Sequence, residues 1–183
     1  MIKTVLHGLP MFWPGLFASL VPAALLNRPV GRLLRAHWSV GFLLLLALGG
    51  VATLTLLPTT PRAFWQDLGW DGVVHHCTFG VIRVRPPGEW FTSRQADLNI
   101  LMFAPIGVVA ALAGSRRRAV AVLAAGAALP FVLEAAQYAA PAIGRACDAQ
   151  DVCDCLVGLV LGAVVGALAR PLSRTAGICT ARR

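Results

Sequence analysis

Long apolar runs separated by short polar connections dominate the chain. The runs predict helices at about residues 9–26, 38–57, 98–113, 119–138 and 152–169. A helix of roughly 20 apolar residues crosses the ~30 Å hydrocarbon core of a bilayer. The pattern therefore predicts an all-α fold: a polytopic membrane helix bundle of about five transmembrane helices, forming a single membrane domain over residues 1–183.

The first apolar run could also be a cleaved signal peptide. Only Lys3 precedes it, and Val21-Pro22-Ala23 makes a poor cleavage site. Cleavage would leave Arg28, Arg32 and Arg35 outside the cytoplasm, against the rule that basic residues stay inside. We favour a retained helix for this run.

Residues 58–96 form a long, mixed connection that suits a loop lying against lipid headgroups. It contains Trp65, Trp70 and Trp90, and tryptophan is common at membrane interfaces. His75-His76-Cys77 carries side chains that ligate zinc, but adjacent histidines on one segment cannot easily reach one ion. The five cysteines show no regular metal spacing. We therefore expect neither a metal nor another cofactor.

Charge sets the expected orientation. The chain is 57% hydrophobic and only 13% charged, with a net charge of +8. Arginines cluster at residues 28–35, 116–118 and 170–183, which are alternate connections of the predicted bundle. Such clusters mark the cytoplasmic side, so the N-terminus is predicted outside and the C-terminus in the cytoplasm. This pattern favours a lipid bilayer as partner, and we expect no nucleic-acid binding.

Unusual polar residues concentrate near the outer ends of the last three predicted helices. Of eight acidic residues, four (Glu134, Asp148, Asp151, Asp154) fall within residues 134–166. Charge beside apolar segments is costly, so its concentration indicates either ion pairs that pin a loop or an outward-facing pocket. Glu134, Arg145 and Asp151 are predicted to interact. The full candidate pocket is Asn99, Glu134, Gln137, Arg145, Asp148 and Asp151.

Small residues suggest how the helices pack. Gly158, Gly162 and Gly166 share one face of the last helix with Asp151, and glycines at this spacing let helix backbones approach in lipid. We expect this face to meet the fourth predicted helix. Cys77 and Cys147 both fall on the predicted outer side, where disulfides persist, which suggests that they bridge the long loop to the pocket.

The polar pattern resembles that of the VanZ-like family. Residues 99–107 follow its N-x-x-x-F-x-P-x-G segment, and residues 134–162 follow E-x-x-Q…R-x-x-D-x-x-D-x-x-x-N-x-x-G-x-x-x-G, with Cys155 in place of the asparagine. The resemblance covers about residues 97–169. It implies a small multi-pass protein of the bacterial cytoplasmic membrane. The family's founding member is associated with low-level resistance to the glycopeptide teicoplanin.

Three functions stay open. The first is an envelope protein, linked to teicoplanin-type resistance, whose pocket binds a lipid-linked cell-wall precursor or a glycopeptide-like ligand without known catalysis. The second is an intramembrane enzyme acting on a lipid-linked headgroup, with Glu134 or Asp151 as base and Arg145 holding an anion. No familiar catalytic motif is present, so no catalytic residue is assigned. A transporter is disfavoured because the chain shows no internal repeat.

Overall fold

The computed structural model describes residues 12–57, 77–80, 82–90, 93–140 and 147–175. Within these residues the protein is almost entirely helical, with one pair of two-residue strands. The elements in chain order are α1 (Phe12–Leu34), α2 (Trp38–Leu56), β1 (Cys77–Thr78), a 3-10 turn (Pro87–Glu89), α3 (Arg94–Leu112), α4 (Arg116–Ala139), β2 (Cys147–Asp148) and α5 (Ala149–Thr175). The predicted all-α helical membrane bundle is confirmed.

The helices extend past the apolar runs that predicted them. α3 begins at Arg94 instead of residue 98, and α4 begins at Arg116 instead of residue 119. The hydroxyls of Ser93 and Ser115 accept hydrogen bonds from backbone N–H groups in the first turns of these helices. Hydropathy marks only the apolar part of a helix, whereas its end is set by such caps.

A tight turn joins α1 to α2. Arg35 has a φ of 51°, a left-handed conformation that commonly ends a helix. The Ala36 N–H then donates to the Gly31 carbonyl at 2.9 Å, which satisfies a free carbonyl of the last turn. His37 begins α2, because its ring accepts a hydrogen bond from the Ser39 N–H. The two helices therefore form an antiparallel hairpin.

The two arginine-rich connections lie at the same end of the bundle. The Gly114 N–H, between α3 and α4, donates to the Leu34 carbonyl at 2.9 Å. The Arg118 guanidinium also donates to the Leu33 carbonyl. We call this end, defined by residues 33–37 and 113–118, the arginine end.

The glycines of α5 pack on α3, so the expected contact with the fourth predicted helix, α4, is wrong. A methyl group at Gly158 would collide with the Ile100 carbonyl, and one at Gly162 would collide with the Ala104 carbonyl. Gly166 similarly faces Val108 of α3.

Small residues on α3 explain this choice of neighbour. Gly107 of α3 lies directly against the Leu159 carbonyl of α5, so both backbones contribute to the contact. The contact between α4 and α5 uses side chains instead, since Gly126 of α4 faces the Leu159 side chain. Close backbone approach requires small residues on both partners, and α3 supplies them.

Among the described residues, four helices are long and apolar enough to cross a membrane by length and composition: Trp38–Leu56, Gln95–Leu112, Arg116–Ala139 and Ala149–Pro171. α1 is not among them, which departs from the predicted set of about five. Every 18-residue window of α1 contains Asn27 and Arg28, and these two polar residues lower its mean hydropathy. A buried cluster that includes Val51, Phe103, Leu133 and Leu159 joins the four candidate spans.

Replacing Gly162 by alanine should destabilise the protein. The added methyl group would force α3 and α5 apart, and such overpacking costs about 1–3 kcal/mol of the free energy of unfolding. Gly50→Ala is the matched control, because a methyl group there meets nothing within 4 Å. Thermal unfolding of the purified variants in one detergent measures both. Equal melting temperatures for the two variants would contradict the α3–α5 contact.

Candidate functional site

A small polar cavity lies between α3, α4 and α5, at the end of the bundle opposite the arginine end. Asn99 reaches it from α3, Glu134 and Gln137 from α4, and Asp151 from α5. The cavity has a volume of about 50 Å³. Four of the six residues of the predicted pocket therefore line one space.

Hydrogen bonds hold these side chains in place. Gln95 Nε2 donates to Asp151 Oδ2 at 2.6 Å, and Gln137 Nε2 donates to the backbone carbonyl of Thr55 at 3.2 Å. The backbone N–H of Asp148 donates to Glu134 Oε2 at 2.8 Å. Each helix thus contributes a side chain whose orientation is set by a neighbouring element.

Asn99 has unused hydrogen-bonding capacity. The residue is only 8% exposed, and its Nδ2 atom is buried without a hydrogen bond of normal geometry. Its side chain lies close enough to Asp151 to interact with the carboxylate. A buried amide without full partners is costly, so a bound polar group that completes its hydrogen bonds would be favoured.

Asp148, which was also predicted for the pocket, is not among the residues that line the cavity. Asp148 reaches Glu134 only through its backbone, while its carboxylate accepts a hydrogen bond from the Gln150 N–H at 2.9 Å. Arg145 lies outside the described residues. Glu134 and Asp151 line the same cavity, and their predicted interaction with each other and with Arg145 stays a prediction.

Gln95 and Thr55 were not predicted from the sequence as contributors to the cavity, and Cys155 was named there only as a departure from the family pattern. Gln95 orients Asp151, Thr55 anchors Gln137, and Cys155 lines the wall. Cys155 occupies the position of the asparagine in the family pattern, so a thiol replaces a carboxamide beside Asp151. Gln95 could have been predicted, because it precedes Asn99 by one helical turn and therefore lies on the same face of the helix.

Three contacts, which we call the clamp, fasten residues 77–80 and 82–90 to β2 and the start of α5. Cys77 and Cys147 form a disulfide between the paired strands β1 and β2, with their Cα atoms 4.5 Å apart. This is the pairing that the sequence suggested. The Gln150 carboxamide accepts a hydrogen bond from the Arg83 N–H and donates one to the Arg83 carbonyl, both at 3.0 Å.

A salt bridge completes the clamp. Arg85 Nε donates to both oxygens of Asp154 at 3.2 Å, and the Asp154 side chain is only 2% exposed. Asp154 is one of the four acidic residues concentrated in residues 134–166, and the sequence alone predicted no partner for it. A carboxylate inside an apolar helix requires a partner, so the presence of Asp154 in such a helix indicates that a partner exists.

The cavity suits a small group, such as a hydroxyl, that can accept a hydrogen bond from Asn99 Nδ2 and donate one to a carboxylate. Its carboxylates can only accept hydrogen bonds when ionised, and they attract positive charge. Within the described residues no group of three or more histidine, cysteine or acidic side chains is placed to hold a metal ion.

This architecture, a bundle of apolar helices with polar side chains gathered at one end, is that of a polytopic membrane protein. The model of the VanZ/LLP1 family matches residues 42–170, which is most of the chain. The protein therefore belongs to the VanZ/LLP1 family, and the resemblance drawn from the polar motif is confirmed. No curated protein and no solved structure matches the chain.

Replacing Asp154 by asparagine should destabilise the fold. The change leaves the Arg85 guanidinium without its buried counter-charge, and breaking such a pair costs about 3 kcal/mol, reduced here because Arg85 is partly exposed. Glu89→Gln is the matched control, since the Arg83–Glu89 pair is exposed and should contribute less than about 1 kcal/mol. Thermal unfolding measures both, and equal losses would contradict a stabilising role for the Asp154 bridge.

Proposed function

We propose that this VanZ/LLP1 protein binds a polar end group of a lipid-linked cell-wall precursor or a related envelope amphiphile. One observation carries the proposal: Asn99, Glu134, Gln137 and Asp151, from three different helices, line a single cavity. Ionisable residues inside a membrane bundle are costly to maintain, so they are by default candidates for function. The incompletely bonded Asn99 amide supports a ligand at this place.

The size of the cavity limits the ligand. A volume of about 50 Å³ accommodates a hydroxyl group but not a whole glycopeptide antibiotic. We therefore propose that a hydroxyl of a larger molecule enters the cavity, where it accepts a hydrogen bond from Asn99 Nδ2 and donates one to a carboxylate, while the rest of the molecule stays outside. A link to teicoplanin resistance would be indirect: a protein that holds a precursor outside the membrane changes how accessible that precursor is to the antibiotic.

The proposed site faces the outside of the bacterial cytoplasmic membrane. Its clamp contains the Cys77–Cys147 disulfide, and disulfides persist in oxidising compartments. The arginine end lies opposite, and clustered arginine favours the cytoplasmic side. These two independent features support the same orientation, with the C-terminus in the cytoplasm.

Catalysis is the second candidate, because Glu134 and Asp151 line the same cavity. Two carboxylates in one site can act as general acid and base on a lipid-linked headgroup. Binding and catalysis differ in one observable: a binder retains its ligand unchanged, whereas an enzyme releases product.

Reporter fusions test the orientation. A reporter fused after Ser115 should give a cytoplasmic signal, and one fused after Gly144 should give an outer signal, because the two positions flank α4 at opposite ends. A matched pair of reporters, one active only in the cytoplasm and one only outside, controls for expression. The reverse pattern would contradict an outward-facing site.

Retention of a radiolabelled lipid-linked peptidoglycan precursor by the purified protein in nanodiscs tests the function. Glu134→Gln and Asp151→Asn should each weaken retention about tenfold or more, since a hydrogen bond to a charged group contributes about 1.5–3 kcal/mol. Glu89→Gln should leave retention unchanged, because Glu89 pairs with Arg83 away from the cavity.

The form of the recovered label separates the candidates. Unchanged, stoichiometric label supports binding, and released product supports catalysis. If the wild-type protein retains no more label than empty nanodiscs and releases no product, the proposed function is wrong.

A further inference from the structure

A second, larger space adjoins the polar cavity. It is a groove of about 620 Å³ between α4, α5 and the clamped segment that follows β1. Its walls are almost wholly apolar and include Phe131 of α4 together with Val152 and Leu156 of α5. The volume lies in the usual range for small-molecule sites, about 300–1,000 Å³.

Apolar side chains over this groove are uncovered. Phe79 is 77% exposed and Ile82 is 55% exposed, and both line the groove from the clamped segment. Phe131, on the facing wall, is 59% exposed. Exposed apolar side chains also occur elsewhere on the bundle, so the concave shape of the groove, and not exposure alone, distinguishes this surface.

The groove and the polar cavity meet at one residue, since Glu134 lines both spaces. Glu134 therefore borders both a polar and an apolar space, and a molecule with a polar end and a hydrocarbon chain has a matching surface on each side of this residue. The main walls are the last turns of α4 and the first turns of α5, both candidate spans, so the groove lies near the expected outer boundary of the hydrocarbon core.

We infer that the groove holds the hydrocarbon chain of the same amphiphile whose polar end group occupies the cavity. This inference rests on the proposed function and adds the chemical class of the ligand: a membrane amphiphile recognised by both its end group and its chain. Burial of each methylene group contributes to binding, so a chain in a fitted groove adds affinity that the small cavity alone cannot supply.

The clamp gives the groove its third wall. Cys77 and Cys147 both line it, so the disulfide that ties β1 to β2 also holds Phe79 and Ile82 over the chain site. The Arg85–Asp154 bridge fastens the same segment farther along. The disulfide and the salt bridge therefore hold this segment at two points along its length.

The test compares two probes in nanodiscs: the lipid-linked peptidoglycan precursor with its full polyprenyl chain, and an analogue with the same headgroup and a truncated chain. Ala135→Trp fills the groove from an exposed position on α4. Ala128→Trp is the matched control, because Ala128 is equally exposed on α4 and does not line the groove.

The wild-type protein should retain the full-length precursor about tenfold or more better than the truncated analogue. Ala135→Trp should reduce retention of the full-length precursor to that of the analogue and leave retention of the analogue unchanged. Ala128→Trp should behave as wild type. Equal retention of the two probes by the wild type, or full retention by Ala135→Trp, would overturn the inference.

Photocrosslinking gives a measurement in the unaltered protein. A diazirine at the end of the precursor's chain should label peptides that contain Phe79, Ile82, Val152 or Leu156, and labelling confined to other peptides would overturn the inference. An altered oligomeric state of Ala135→Trp with unchanged retention would assign the groove to a protein partner and also overturn it.

The outcomes separate this inference from the proposed function. In one outcome, the wild type retains both probes equally, Glu134→Gln loses retention of the analogue, and Ala135→Trp does not change it. The proposed function then stands, and the inferred chain site is wrong. Absence of retention for both probes removes both.

Discussion

The backbone contact between α3 and α5 is the constraint on which the rest of the fold depends. Gly158 and Gly162 carry no side chain where the Ile100 and Ala104 carbonyls lie, so the two helices approach closely. Lipid is as apolar as the side chains it surrounds, so helices in a membrane associate through such packing. The contact also sets the height of α5 along α3, which brings Asp151 level with Gln95 and Asn99.

The contacts of the clamp stabilise the fold and also shape the space beside the candidate site. Asp154 lies one helical turn beyond Gln150 on α5, and both bind the segment that carries Arg83 and Arg85. A buried carboxylate requires a partner, so the segment must stay against α5 for the fold to be stable. Because the same segment walls the groove, the interactions that stabilise the bundle also shape the space beside the cavity.

Much of the site was predictable because charge in an apolar sequence stands out. Asn99, Glu134, Gln137 and Asp151 were assigned to one level of the bundle, and they line one cavity. Thr55 was not predictable, since its contribution is a backbone carbonyl that any residue could offer. The Arg85–Asp154 bridge joins positions 69 residues apart, and nothing local connects them.

By itself the sequence determined the class of protein, its family and the positions of its helices, because hydropathy and motif spacing are local properties of a chain. Only the tertiary structure decided that the glycines of α5 meet α3 instead of α4, that the polar cavity is small, and that an apolar groove adjoins it. A row of glycines shows that a helix can be approached closely, but not by which neighbour. That is decided by where complementary small residues, here Ala104 and Gly107, lie once every helix has packed.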